Sequence, residues 1–371
     1  MENPIENIHR NRPGDGVAMG AGHPVSTYRI LTGDCIEQMR TLPKKSVHCV
    51  IFSPPYFLQR DYEIEGQIGQ EETPADFITS MQRVFHAIRR VLRDDGTVWM
   101  NIGDSYANDA KWGGATGGKH CRDLHGTNRC RDKRKTGFKQ KDRMGIPHRL
   151  VFALQDDGWY FRDEIIWAKP NPMTDSAKDR CGRAHEFVFL LTKTPTYFYD
   201  YVAIQEPAVE GGMRNKRSVW EIPVANNREK HFAGYPRKLV LPCVLAGTSE
   251  RGCCPKCGAQ YLRRIKKIRT ATRPGRNTKV TGTTDKTHGN RDPERHVTSV
   301  KTIGWKPGCE CNAGPPVPCT VLDPFGGTGT TGAVAVSRGR NAILIELNPE
   351  YVGFIKRKMK TAIAKRGFGI Y

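Results

Sequence analysis

No apolar run in these 371 residues approaches the ~20 that a membrane-spanning helix needs, so no transmembrane segment is expected. The first twenty residues are polar throughout and lack an apolar h-region, so no secretory leader is expected and a cytoplasmic location is. No internal repeat is visible. Acidic residues are scarce beside basic ones, 38 Asp and Glu against 59 Lys and Arg, which leaves a net charge of +21. A balance of that sign points to a polyanionic partner.

The charge is not spread evenly. Residues 110–143 carry 11 Lys and Arg against 3 acids, and residues 251–308 carry 15 against 3. These two stretches hold nearly all of the excess. Both are rich in Gly, Thr, Arg and Lys and poor in large apolar residues, so both are expected to be mobile until they meet phosphate. Lys133, Arg134 and Lys135 in the first, and Arg263, Arg264, Lys266, Lys267 and Arg269 in the second, are the candidate phosphate contacts.

Twelve cysteines in a chain without a leader do not suggest a disulfide scaffold. Their spacing points to metal. Cys254-Pro255-Lys256-Cys257-Gly258 reads as a zinc knuckle, and Cys309 and Cys311 offer a second pair about fifty residues later. Four thiolates make a closed tetrahedral structural site for Zn2+, with Cys253 as an alternative member. His120, Cys121, His125 and Cys130 are loosely metal-like but lie in a glycine-rich basic stretch read as a solvated loop. Cys243 and Cys319, each preceded by proline, read as packing residues.

Near the C-terminus, Thr320-Val321-Leu322-Asp323 reads as a buried strand, followed by Pro324-Phe325-Gly326-Gly327-Thr328-Gly329-Thr330-Thr331. The glycines permit a tight turn and close approach of backbone to a ligand. A helix is expected from Thr330, then a strand from Asn341 ending at Glu346. Strand, glycine loop, helix, strand and acid form the first half of a nucleotide-binding βαβ unit, with Glu346 placed for ribose hydroxyls. No lysine follows the loop and no G-x-G-x-x-G is present, so it is not built around a pyrophosphate. That favours S-adenosylmethionine over a dinucleotide.

Near the N-terminus, Val47–Phe52 reads as another strand, and Ser53-Pro54-Pro55-Tyr56 follows it. The prolines fix φ and remove two N–H donors, leaving outward carbonyls. An exocyclic amine offers two N–H donors, which the Ser53 hydroxyl and the Pro54 carbonyl can accept. Tyr56 can stack on a base extruded from a duplex, an interaction worth roughly 1–3 kcal/mol.

This pair of motifs resembles the amino-group DNA methyltransferases that modify N4 of cytosine or N6 of adenine. The catalytic motif precedes the cofactor motif, as in the permuted β group. Further segments are similar to the family: Gly33-Asp34-Cys35, Val91 to Asp104, Ile165 to Pro172, His185 to Leu191, and His231-Phe232-Ala233-Gly234-Tyr235-Pro236. The resemblance implies a Rossmann-like α/β fold, a doubly wound and mostly parallel sheet with a late β-hairpin and a small inserted zinc-ribbon-like module. It implies S-adenosylmethionine held by Asp34, Cys35, Ser53, His231, the 323–331 loop, Glu346 and Leu347. It implies duplex DNA as substrate, action at the nucleoid, and either a cognate restriction endonuclease or an orphan role. Serine in the first position of the tetrapeptide resembles the N4-cytosine enzymes, with N6-adenine as the alternative. An RNA or protein-glutamine methyltransferase and a silent DNA-binding protein are the other classes compatible with these motifs.

The expected organisation is a polar tail over 1–27 and a catalytic half over 28–250, with a basic insertion over 108–143 above the active site. A basic, cysteine-rich DNA-recognition insertion over 251–319 and a cofactor half over 320–371 complete it.

Overall fold

The computed structural model describes residues 26–59, 62, 64–107, 137–173, 175, 177–209, 212–224, 234–273 and 295–367. Twelve strands and six α-helices are assigned among them. The strands are β1 (Tyr28–Thr32), β2 (Val47–Phe52), β3 (Leu92–Ile102), β4 (Tyr160–Ala168), β5 (His185–Thr192), β6 (Glu206–Pro207), β7 (Met213–Arg214), β8 (Val219–Glu221), β9 (Leu262–Arg273), β10 (Arg295–Lys306), β11 (Thr320–Asp323) and β12 (Asn341–Glu346). The helices are α1 (Cys35–Arg40), α2 (Pro74–Val91), α3 (Ile146–Asp156), α4 (Arg237–Gly247), α5 (Thr330–Ser337) and α6 (Pro349–Gly367).

Eight strands form one sheet in the order β1-β12-β11-β2-β3-β5-β4-β8. The run from β1 to β3 is parallel, β5 is antiparallel to both neighbours, and β4 pairs with β8 in parallel. β4 and β5 are the late hairpin. One departure concerns β1. By chain position it belongs to the catalytic half, yet it pairs with β12 at the far edge of the cofactor half.

The reason for the central strands is apolar content on both faces. Every residue of β2 is buried. Val47, Val50 and Phe52 join a core with α1, α2 and α3, while Cys49 and Ile51 join the opposite core with α4, α5 and α6. α2 is an amphipathic crossover from β2 to β3. Thr73 caps it by accepting the Asp76 N–H at 3.1 Å, Pro74 opens it, and Phe77, Met81, Val84, Phe85 and Ile88 line its buried face. α5 is small throughout and fully buried. A Cβ on Gly332 would stand 2.6 Å from Leu344 Cδ1, so glycine there lets α5 lie directly on β12.

The second basic stretch is not featureless. β9 and β10 form a two-stranded antiparallel hairpin. Low hydrophobicity predicts mobility there, but Ile265, Ile268, Val300 and Thr302 are β-branched residues that suit a pleated ribbon. Residues 108–136 lie outside the described set. The flanks of that segment are tied together at the end of β3, where Tyr106 bridges Arg143 and the Ala107 N–H donates to Asp142 O at 2.7 Å. No helix among the described residues is long and apolar enough to cross a membrane.

Candidate active site

β11 and β2 are direct neighbours, with Val321 opposite Cys49 and Leu322 opposite Val50. From β11 the chain crosses through α5 to β12 on one side; from β2 it crosses through α2 to β3 on the other. The sheet therefore reverses its winding between these two strands, and the loops that follow them meet at the switch point. The contacts are direct. Thr331 Oγ1 donates to Ile51 O at 3.2 Å, and the Phe52 and Phe325 ring centroids are 5.7 Å apart.

One wall of the site is the glycine loop. Asp323 is buried and accepts the Phe325 N–H and the Tyr235 hydroxyl, both at 3.0 Å. Burial pushes its carboxyl up to about 6. Tyr235 also shares a hydrogen bond with Thr331. Gly326 donates its N–H to Ile345 O at 2.7 Å, and Gly327 and Gly329 take positive φ. Glu346 accepts the Gly327 N–H at 2.6 Å and the Asn348 N–H at 2.9 Å. Burial raises its pKa as well. Each of its oxygens keeps a lone pair for a ribose hydroxyl, and the backbone beside Gly327 is open, so this cradle fits S-adenosylmethionine. Gly33 donates its N–H to Glu346 O at 2.9 Å, which brings Asp34 to the same edge. Asp34 Oδ1 caps α1 through the Ile36 and Glu37 N–H groups. Cys35 is buried, and burial pushes its thiol up to about 12. Leu347 is half-buried beside Glu346. His231 lies outside the described residues.

The other wall is Ser53-Pro54-Pro55-Tyr56. Ser53 Oγ donates to the Tyr56 hydroxyl at 3.4 Å, and the Tyr56 hydroxyl donates to Glu186 Oε2 at 2.7 Å. Asn101 Nδ2 reaches the same Glu186 oxygen at 3.2 Å and Phe187 O at 3.0 Å. Lys169 pairs with the remaining Glu186 oxygen. A Cβ on Gly103 would stand 2.8 Å from Tyr56 Cε2, so glycine there makes room for the ring. Asn101 at the end of β3, Lys169 after β4 and Glu186 at the start of β5 thus converge on one tyrosine.

Glu186, Asn101 and Lys169 do not stand out in the sequence. Neither does Lys358, whose Nζ reaches Thr328 Oγ1 and Thr330 Oγ1 at 3.0 Å each from α6. A signal exists: a charged residue abutting the apolar run at the same end of adjacent strands has few reasons to be there other than a polar site.

The ten cysteines among the described residues are free thiols. Cys254, Cys257, Cys309 and Cys311 bring their sulfurs within 4.8 Å of one another. The Cys257 and Lys256 N–H groups hold the Cys254 thiol down to about 7. His120, Cys121, His125 and Cys130 lie outside the described residues. Cys243 and Cys319 are buried packing residues.

The basic candidates divide. Arg264, Lys266, Lys267 and Arg269 are exposed on β9, and Lys266 lies directly opposite Lys301 of β10. Arg263 is turned inward. It binds Asp200 Oδ2 and Glu250 Oε2 at 2.8 Å each and stacks 4.3 Å from the Trp305 ring centroid. Its charge is neutralised within the chain. Lys133, Arg134 and Lys135 lie outside the described residues.

A glycine loop with a buried acid, facing a Ser-Pro-Pro-Tyr loop at the switch point of a mostly parallel sheet, fits an S-adenosylmethionine-dependent methyltransferase. Comparison with known proteins says which kind. The chain belongs to the N6/N4 DNA methylase family, which matches residues 47–254 and 319–357, two runs separated by residues 255–318. The type II methyltransferase M.XycI of Xanthomonas campestris pv. cyanopsidis is 38% identical over 326 residues, covering 87% of this chain and 84% of the relative. M.Cfr9I of Citrobacter freundii, also a type II methyltransferase, is 34% identical over 359 residues, 96% and 92% of the two chains. The solved PvuII DNA methyltransferase, described as cytosine-N4-specific, shares the fold with a TM-score of 0.54 at 16% identity over 94% of this chain and 95% of that one. The protein is a DNA methyltransferase that uses S-adenosylmethionine.

Proposed function

We propose that the chain methylates N4 of a cytosine flipped out of duplex DNA. The observation that carries this reading is the Ser53-Pro54-Pro55-Tyr56 clamp held against the glycine loop by Phe52–Phe325 and Thr331–Ile51. Serine at its first position favours cytosine. When bound, S-adenosylmethionine supplies a methyl carbon on a sulfonium whose departure leaves a neutral thioether.

The residues of the chain do the rest. Phe325, Gly326, Gly327 and Glu346 orient the methyl donor. The Pro54 carbonyl and Ser53 hydroxyl accept the two amine N–H groups, which aims the nitrogen lone pair at the methyl carbon. Tyr56 stacks on the base and stabilises the positive charge that develops on nitrogen. Held by these residues, S-adenosylmethionine would supply the methyl group and leave as the thioether, and the methylated amine would lose its extra proton to water. Glu186 holds the tyrosine hydroxyl, fixing the ring plane. Arg264, Lys266, Lys267 and Arg269 face DNA phosphates, together with Lys133, Arg134 and Lys135. Cys254, Cys257, Cys309 and Cys311 hold a structural Zn2+. The type II names of the relatives support a restriction–modification pairing in the cytoplasm, with an endonuclease cutting at the site this chain protects.

The test is transfer of a labelled methyl group to duplex DNA, followed by digestion and nucleoside chromatography. N4-methylcytosine is expected. N6-methyladenine would overturn the choice of base, and label entering only RNA or protein would overturn the substrate.

A further inference from the structure

We propose that the zinc site is a clasp on the sheet, at the edge opposite the active site, and that His48 is the pin joining it to both catalytic strands. This rests on the zinc reading above and adds where the metal acts. A tetrahedral Zn2+ with Zn–S near 2.3 Å sets its sulfurs roughly 3.8 Å apart, within the spacing these four already have. The turn geometry suits it. The Gly258 N–H donates to Cys254 O and the Cys254 N–H to Ala259 O, both at 2.9 Å, and Gly258 takes φ +73°.

The knuckle is docked, not free. His48 donates from Nε2 to Gly258 O at 2.9 Å, and its Nδ1 accepts the Thr320 N–H at 3.0 Å. Because Nδ1 accepts a backbone N–H, the proton is on Nε2. Arg93 of β3 donates from Nη1 to Cys257 O at 2.7 Å. The approach is close: a Cβ on Gly258 would stand 2.6 Å from that nitrogen. Cys253 pairs with Val317 through two backbone hydrogen bonds of 2.8 and 2.9 Å. Thus the turn that supplies two ligands touches the starts of β2 and β3 directly and reaches the start of β11 through His48.

Those strands are parallel, and their far ends carry Tyr56 and the glycine loop. Six residues of β2 at ~3.3 Å each put the clasp roughly 20 Å from the reacting amine. At that distance, and at the wrong edge, the metal does not read the target base. It holds the starts of the two strands in register. The neighbouring group of His48, Cys253 and Cys319 also has metal-like spacing. Both imidazole nitrogens of His48 are already used, so this group is the pin and not a second metal site.

The experiment uses the full chain. Elemental analysis of protein purified without chelator should find stoichiometric zinc; its absence would overturn the zinc reading and the clasp together. His48→Ala leaves every cysteine in place. It should retain zinc and the wild-type salt dependence of DNA binding, yet lose methyl transfer and lower Tm by about 5 °C or more. Cys309→Ser/Cys311→Ser should lose zinc and show the same decline. Adding His48→Ala to that zinc-free protein should cost little more, because pin and clasp act through one contact. His48→Gln, which can still donate to Gly258 O, should recover part of the loss. Zinc present with fully additive declines, or with zinc loss weakening DNA binding alone, would overturn the clasp and leave the zinc reading standing. If the double-serine variant does not accumulate, zinc stripped from folded protein by chelation serves instead. The Thr320 amide should then exchange faster; unchanged protection would overturn the proposal.

Discussion

The Tyr56 hydroxyl sits 2.7 Å from Glu186 Oε2, although the two residues belong to different strands' ends and are separated by most of the catalytic half of the chain. The acid is itself held by Lys169 and Asn101, so the ring cannot swing out of the site. Tyr56→Ala should therefore slow methyl transfer by about 10- to 100-fold, in line with stacking worth roughly 1–3 kcal/mol, while the dissociation constant for S-adenosylmethionine stays near wild type. Glu186→Gln should lower kcat with cofactor affinity kept. Equal loss of cofactor binding in either variant would mean that the network serves the fold and not the ring. Single-turnover transfer and equilibrium cofactor titration together decide this.

Gly103 offers a cleaner probe of the same ring. A methyl group there collides with Tyr56 Cε2. Gly103→Ala should cost about 1–3 kcal/mol by overpacking, or push the ring aside. The expected result is a large drop in kcat with only a modest drop in Tm. Crystals showing Tyr56 unmoved in an impaired variant would contradict this role for the glycine.

Asp323 makes stability depend on pH. Burial lifts its carboxyl from the usual 3.8 to about 6 in the folded protein. Between these values the folded state holds a proton that the unfolded state has released, so this group's contribution to stability falls as pH rises from about 4 to about 6 and is flat above. Asp323→Asn cannot ionise. Urea unfolding should show that the change in unfolding free energy from pH 4.5 to pH 7 is more positive for the variant than for the wild type, with the amide oxygen still accepting the Tyr235 and Phe325 hydrogen bonds. An unchanged slope would show that the carboxyl titrates normally.

The hairpin separates two roles for arginine and lysine. Lys266 and Lys301 face each other as like charges, an arrangement that costs stability until an anion lies across them. Replacing both with glutamine should weaken DNA binding and reduce the slope of log K against log salt by about 0.9 for each phosphate that is no longer neutralised. Arg263→Gln should instead leave buried Asp200 without its partner and destabilise the fold by about 3–5 kcal/mol, with no change in the salt slope. The same slope change for Arg263→Gln would move that residue into the DNA interface.

The sequence is most legible where one local rule decides the outcome. β2, β11, α5 and β12 fall at the residues that apolar runs and glycine punctuation predict. The meeting of the two motifs also follows, because both loops leave strands at the carboxyl edge of one sheet. What pattern does not supply is cross-strand chemistry. Glu186 and Asn101 meet Tyr56 only because β5 runs antiparallel beside β3, and antiparallel pairing is not written in the composition of either strand. Arg263 looks like its basic neighbours, but its place at the start of β9 sets it beside Asp200 and Glu250. The basic hairpin itself is obscured because charge outweighs its β-branched residues in any measure of average hydropathy.

β11 lies between β12 and β2 and follows ten of the described strands along the chain. Until β11 is made, the Ser53-Pro54-Pro55-Tyr56 loop has no glycine loop facing it. The sheet must wait with a gap at its middle until residues 320–346 emerge. Premature termination upstream of Thr320 would then yield an inert product, not a poorly regulated one. This ordering ties activity to the arrival of β11 and β12.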